Sequence, residues 1–372
     1  MDSTSFFKKT QHLLSFADVK INGDRPWDIQ VHNEKLYPRI LAESSLGLGE
    51  AYMDGWWDCE NLDGLVYRVL KANLDDRVNA RKDLFSFLKA RLFNLQKTSR
   101  AFQIGRHHYD IGNDLYQHML DRLWIYSCGY WKNASTLDEA QEAKLDLICR
   151  KLQLQPGMRV LDIGCGWGGT AKFIAEQYHA EVVGITVSEK QAGFAKEFCH
   201  GLPVEIRMED YRSLKGVFDR IVSIGMIEHV GYKNYKTFMR VVHGCLKEDG
   251  LFLLQTIGTN QCKKNCDLWV ERYIFPNSML PSPKQLTVAM ENLFILEDWH
   301  NFGTDYDKTL MHWFQNFQNS WYILKDKYGD RFFRMWKFYL LSFAGAFRAR
   351  RNHLWQIVLS PKGVPNGYCA SR

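Results

Sequence analysis

The residues most suggestive of chemistry crowd into one turn. In the stretch VLDIGCGWGGT, Asp162 stands two residues before Gly164, and Gly166, Gly168 and Gly169 follow. Glycines at the end of an apolar run let the backbone approach a ligand, at the carboxyl edge where open α/β sheets bind. The spacing G-x-G-x-G-G with an acid ahead of it fits a methyl-donor loop better than the dinucleotide pattern G-x-G-x-x-G. A dinucleotide site also needs a ribose-binding acid at the end of the second strand. EVVGITVSEKQ places Thr186 there, with Glu189 and Gln191 just beyond, so NAD is disfavoured. Elsewhere Glu228 adjoins His229 in MIEHVG, and Cys128 lies in YSCGYW. Neighbours in sequence need not face one another, so His229 is expected to be structural. A nucleophilic Cys128 is a further alternative.

Positioning these residues requires a sheet. From about Pro156 onward, the apolar runs RVLDIG, EVVGITVS, VEIRMED, FDRIVSIG and GLFLLQTIG alternate with helical segments at Thr170–Tyr178, Glu189–Phe198 and Tyr235–Leu246. FILEDWHNF and HLWQIVLS supply two more runs. The pattern predicts a doubly wound α/β domain over residues 105–372, its sheet parallel with crossover helices. Residues 1–76 read as a small mixed α+β domain. Between them, Arg77 to Arg106 carries eight Lys or Arg against one acid, Asp83. Leu84, Leu88, Leu92 and Leu95 recur there at helical spacing, with Phe85 beside them and Arg81, Lys82, Lys89, Arg91 and Lys97 as a cationic surface. Residues 77–104 therefore read as a basic amphipathic helix and linker, suited to an anionic membrane surface. No recognised nucleic-acid module accompanies it.

Composition bounds the partners. The 372 residues carry a formal charge of +6, and Phe, Tyr and Trp make up 14% of the chain, which suggests that something large and apolar is handled. The longest uncharged apolar stretch near the C-terminus, Phe338 to Phe347, is ten residues, against roughly 20 for a spanning helix. The N-terminal MDSTSFFKKTQ lacks an apolar signal region, so a cytoplasmic location is expected. Nine scattered cysteines, Cys262 and Cys266 included, have no paired metal-ligand spacing, which argues against a disulfide scaffold and a zinc site.

Taken together, RHHYDIGNDLYQ, YSCGYW, VLDIGCGWGG, GITVSEKQ, DRIVSIGMIEHVG and AGAFRAR resemble the cyclopropane-fatty-acyl-phospholipid synthase family of S-adenosylmethionine-dependent methyltransferases, in the family's order along essentially the whole chain. The resemblance implies a Rossmann-like class I methyltransferase sheet. It puts cofactor contacts at Tyr126, Ser127, Asp162, Gly164, Gly166, Thr186, Gln191, Glu209 and Asp210. It also implies transfer of a methylene group to the cis double bond of an unsaturated membrane phospholipid, with bicarbonate as the base. That anion would be held among Cys128, Glu228, residue 255, the backbone of Ile257 and Tyr306. Here the chain departs from the family's usual His and carries Gln255, which can donate an N–H but cannot titrate. Phe343 before AGAFRAR offers no thiol. RHHYDIGNDLYQHML is expected to lie over the site as a lid, oriented by His107 and His108. Peripheral association with the inner face of the membrane and a homodimer follow from the same resemblance. Two alternatives stay open: a C-methyltransferase giving a methyl-branched chain, and a non-catalytic lipid- or cofactor-binding protein.

Overall fold

All seven apolar runs become strands of one sheet. The computed structural model describes residues 3–74, 112–262 and 266–372. Two short strands, β1 (Gln30–Val31) and β2 (Trp57–Asp58), pair in the N-terminal segment. The sheet comprises β3 (Arg159–Ile163), β4 (Glu181–Thr186), β5 (Val204–Met208), β6 (Phe218–Ile224), β7 (Leu246–Gly258), β8 (Ile295–Asn301) and β9 (His353–Ser360). Their order is β5-β4-β3-β6-β7-β9-β8. The first five strands of that order run parallel, whereas β9 is antiparallel to both β7 and β8. The expected parallel sheet is thus corrected to a mixed one. The run HLWQIVLS is buried along its whole length, and a continuous apolar run reads alike in either direction.

Helices cover both faces, as the alternation of β7 requires. Phe252 and Leu254 point into one core with Ile163, Phe238 and Met239, while Leu251 and Leu253 point into the other with Ile148, Ala171 and Ile174. The expected helices stand at Gly169–Tyr178, Glu189–Phe198 and Tyr235–Cys245. A further helix, Leu137–Lys151, escaped the sequence reading. Its signal is a capping box in which the Thr136 hydroxyl accepts from the Glu139 N–H and the Glu139 carboxylate accepts from the Thr136 N–H.

The chain divides into two compact units that are not contiguous in sequence. One takes Met1–Phe93, Asn265–Pro276 and Tyr306–Asn352; the other takes Asn94–Lys264, Asn277–Asp305 and His353–Arg372, the sheet included. The expected single stretch of residues 105–372 is therefore interrupted, because the helix Trp321–Arg348 packs in the first unit on Leu62–Lys71 and Ser45–Met53. Arg334 donates to Trp57 O at 2.9 Å and to Asp58 at 2.7 Å, and Arg348 pairs with Asp63 at 2.7 Å and Asp307 at 2.8 Å. The basic segment Arg77 to Arg106, with His107 and His108, lies outside the described residues. Among the described residues no helix is long and apolar enough to cross a membrane.

The close approach in the first unit depends on Gly345, where an added Cβ would lie 2.5 Å from Asp63 O and 3.0 Å from Tyr67 N. Gly345→Val should therefore destabilise this unit by about 1–3 kcal/mol, as overpacked sites do. A thermal scan should show the loss as a lowered first transition, and an unchanged midpoint would contradict the packing described.

Candidate functional site

The glycine turn is built by backbone geometry. After β3, Gly164, Gly166 and Gly168 hold φ of +86°, +55° and +89°, in the left-handed region that other residues enter at a cost. The N–H groups of Gly164 and Cys165 both donate to Ile185 O at 2.9 Å, which pins the turn to β4. A Cβ on Gly164 would meet Met226 at 3.0 Å, and one on Gly169 would stand 1.9 Å from Leu123 O. Above this turn opens a cleft of about 190 Å³. Tyr126, Ser127, Gly164, Gly166, Thr186, Gln191, Glu209 and Asp210 all line it, together with Trp124, Trp167 and His229.

Several of these groups have their orientation set by neighbours. Thr186 donates to Gln191 Oε1 at 3.2 Å, which leaves the Gln191 N–H₂ to face a ligand hydroxyl. The carboxylate of Asp210 accepts the Arg212 N–H at 2.9 Å and pairs with its guanidinium at 3.2 Å, so it caps the turn Tyr211–Ser213. Glu209 is then the acid better placed to meet a ligand. Asp162 does not line the cleft: it is buried in β3, its Oδ2 has no partner among the described residues, and burial lifts its pKa to about 7, with Lys144 pulling the other way.

Sequence reasoning missed the aromatic wall. Trp124 has φ of +58°, unusual for a bulky residue, and its ring lies 4.4 Å from Phe194 and 6.1 Å from Trp167. Asp121 enforces this conformation, its carboxylate accepting from Leu123 N–H at 2.8 Å and Ile125 N–H at 2.9 Å. The described part of the expected lid, the helix Asn113–Met119, packs on the same wall. The Tyr116 ring lies tilted 4.7 Å from Trp167 and edge-on 5.2 Å from Tyr126, and Asn113 Oδ1 accepts from Trp167 Nε1 at 3.2 Å.

Beside the cleft, Glu228 sits on the short turn Ile227–His229 after β6, 5% exposed. Its Oε1 accepts the Ile257 N–H at 2.8 Å, while Oε2 is buried with no partner among the described residues. Burial raises its pKa to about 7, against the lowering effect of the hydrogen bond from the Ile257 N–H. The expectation that Ile257 offers its backbone to an anion is corrected in part. Its N–H is spent on Glu228, and its carbonyl accepts from the Thr256 hydroxyl at 2.8 Å. Gln255 is 1% exposed; its Oε1 accepts from Gln356 Nε2 at 2.9 Å, and its own Nε2 has no partner among the described residues. The Cys128 thiol is buried and donates to Gly129 O at 3.1 Å. Desolvation lowers His229 to about 4, so it is neutral at pH 7. Tyr306 falls in the first unit, its ring 4.6 Å from Phe347 and 5.9 Å from Trp313. Lys144, Gln141, Gln356 and Tyr235, all buried near these groups, carried no motif that sequence alone could flag.

A family model described as mycolic acid cyclopropane synthetase matches residues 96–357. The chain is 52% identical to the cyclopropane-fatty-acyl-phospholipid synthase of Escherichia coli K12, over 99% of this chain and 96% of that one. It is 36% identical to a probable fatty acid methyltransferase of Pseudomonas putida, over 91% and 88% of the two chains. The crystal structure of mycolic acid cyclopropane synthase CmaA1 complexed with SAH and CTAB aligns with a TM-score of 0.64 at 32% identity, covering 69% of this chain and 97% of that one.

Two outcomes follow from the geometry. Gly164→Val puts a branched side chain against Met226 in a strained conformation, so calorimetry should show S-adenosylhomocysteine binding lost while circular dichroism is retained; undiminished affinity would sink the cleft assignment. Glu228 binds a proton more readily folded than unfolded between about pH 4.5 and 7, so its contribution falls as pH rises through that window. Denaturant unfolding of wild type should therefore lose up to about 3 kcal/mol relative to Glu228→Gln from pH 4.5 to 7. Parallel pH curves for the two proteins would show that Glu228 is ionised throughout.

Proposed function

Because the chain belongs to the cyclopropane synthase family of S-adenosylmethionine-dependent methyltransferases, we propose that it transfers a methylene group to the cis double bond of an unsaturated phospholipid acyl chain, giving a cyclopropane ring. The observation that carries this reading is likeness along nearly the whole chain to the Escherichia coli protein named for that product. The cleft fits the methyl donor: Gly164, Gly168 and Gly169 leave little or no room for side chains in its turn, and it offers hydrogen-bonding groups at both ends. When bound, S-adenosylmethionine supplies an activated methyl group.

An isolated alkene is a poor nucleophile, so the first task of the protein is alignment. The Gly164 turn, Thr186 and Gln191 fix one partner, and the aromatic wall of Trp124, Trp167 and Tyr126 confines the other. Ring faces also stabilise positive charge developing on the acyl chain, by about 0.5–2 kcal/mol each. Excluding water protects that charge from capture. Ring closure then needs removal of one proton from the new methyl group, which bound bicarbonate supplies the basicity to do.

Glu228 and Gln255 suit that anion. With Oε1 fixed by Ile257, a proton on Glu228 resides on the unpartnered Oε2, from which it can be donated to the anion. With its pKa lifted to about 7, Glu228 is about half protonated at pH 7, and a second negative charge nearby favours the neutral form. Gln356 holds the Gln255 carbonyl oxygen and so leaves the Gln255 N–H₂ to donate as well. The Cys128 thiol, which donates to Gly129 O here, would have to turn from that carbonyl to join them. Since a phospholipid tail stays in the bilayer, the protein works peripherally at the cytoplasmic membrane face, with the basic segment Arg77 to Arg106 meeting anionic headgroups. Gln255 favours one alternative: a loosely held base leaves the chain methyl-branched, a product class in line with the Pseudomonas relative's name.

The test is turnover on vesicles of cis-unsaturated phospholipid, with fragmentation mass spectrometry of the product. A cyclopropane ring should form, slowly in carbonate-depleted buffer and faster on adding bicarbonate. Glu228→Gln should slow it by at least about 100-fold, the scale of a lost acid–base contributor, and Gln255→His should lower the bicarbonate needed for half-maximal rate. A methyl branch in place of the ring would establish the alternative, and indifference to bicarbonate would refute the base.

A further inference from the structure

A lysine with no exposed surface lies directly behind the cleft. Lys144 is 0% exposed, an expensive placement for an ammonium group unless its charge is used. It stands on the helix Leu137–Lys151 one turn after Gln141, so both side chains reach the strip of residues that carries Ser127. Gln141 Nε2 donates to Ser127 O at 2.8 Å and to Ile125 O at 3.4 Å, fixing the backbone. Lys144 Nζ donates to Ser127 Oγ at 3.1 Å, fixing the hydroxyl.

The direction of that bond decides where the hydroxyl proton goes. An ammonium group has donors and no acceptor, so Ser127 Oγ must accept from Lys144 and turn its own proton away, towards the cleft that Ser127 lines. A hydroxyl polarised by a cation is also the stronger donor. The charges along the cleft are ordered: Glu209 and Asp210 follow β5, two strands from β3, whereas Lys144 lies on the Ser127 side. A ligand carboxylate would be repelled at the first end and attracted at the second.

We propose that Lys144 is a positioning residue that, through the Ser127 hydroxyl, selects the amino-acid carboxylate of the cofactor; this rests on reading the cleft as the S-adenosylmethionine site. The fields on Lys144 support it. Burial brings its pKa down to about 8, still charged at pH 7, with Asp121, Cys128, Asp162 and Cys149 acting to raise it. Burial lifts Asp121 to about 6 and Asp162 to about 7, so at pH 7 Asp121 is largely ionised and Asp162 partly so, and both help to keep the buried ammonium charged. Its pull reaches the cleft through the Ser127 hydroxyl.

The experiment compares S-adenosylhomocysteine with its decarboxylated counterpart by calorimetric titration on the full chain. Wild type should prefer the carboxylated compound by at least tenfold. Lys144→Met should lose most of that preference, weakening S-adenosylhomocysteine tenfold or more while changing the decarboxylated compound less than threefold. Ser127→Ala should do the same, and the double variant should lose no more than either single one. Should Lys144→Met not fold, Ser127→Ala alone decides: selective loss supports the assignment, and equal loss for both compounds overturns it. A wild type that prefers neither overturns it too, and one that binds neither overturns the cleft reading along with it.

Discussion

The hydrogen bond from the Ile257 N–H to the buried Glu228, 2.8 Å long, is the interaction around which the site is organised. It ties the turn after β6 to the end of β7, and it commits one carboxyl oxygen to the backbone. Burial then disfavours the charged form more strongly than the hydrogen bonds favour it, leaving a carboxyl group that titrates near neutrality. The other oxygen therefore carries the proton, and among the described residues no group accepts it. Two anionic groups could not share so dry a place; a neutral carboxyl and an anion can.

The cofactor side obeys a related logic of withheld side chains and committed donors. Positive φ at Gly164, Gly166 and Gly168 brings bare backbone to the cleft, and the 1.9 Å distance that a Cβ on Gly169 would have from Leu123 O shows how tightly the neighbouring strip is drawn in. That strip has no regular structure of its own. Asp121 holds its turn, Gln141 its carbonyls and Lys144 the Ser127 hydroxyl, each of the three being buried. The energetic cost of those buried polar groups is offset by their hydrogen bonds, and the result is a rigid wall opposite the glycine turn.

What the sequence made legible was whatever is periodic or local. Seven apolar runs became seven strands, and Thr186, Gln191 and Glu209 reached the glycine turn because consecutive parallel strands deliver their carboxyl ends to one edge. The antiparallel sense of β9 was invisible, since a buried run has no polarity. The discontinuous first unit was equally so: Gly345 in AGAFRAR reads as a helix residue, and only its missing Cβ against Asp63 O explains the packing. Lys144 and Gln356 were hidden for another reason. A lysine in a charged helix and a glutamine in a strand look like surface residues until tertiary structure buries them. The backbone of Ile257 was expected to help hold an anion, whereas the fold gives its N–H to Glu228.

The protonation of Glu228 in the presence of bicarbonate is the most direct test. Infrared difference spectra on adding bicarbonate at pH 7.5, with chloride at equal ionic strength as the control, report the protonated carboxyl group itself. A nearby anion favours the neutral acid, so the protonated-carboxyl band should grow in wild type and show no change in Glu228→Gln. A band that shrinks, or that never appears in wild type, would contradict a neutral carboxyl as the holder of the base.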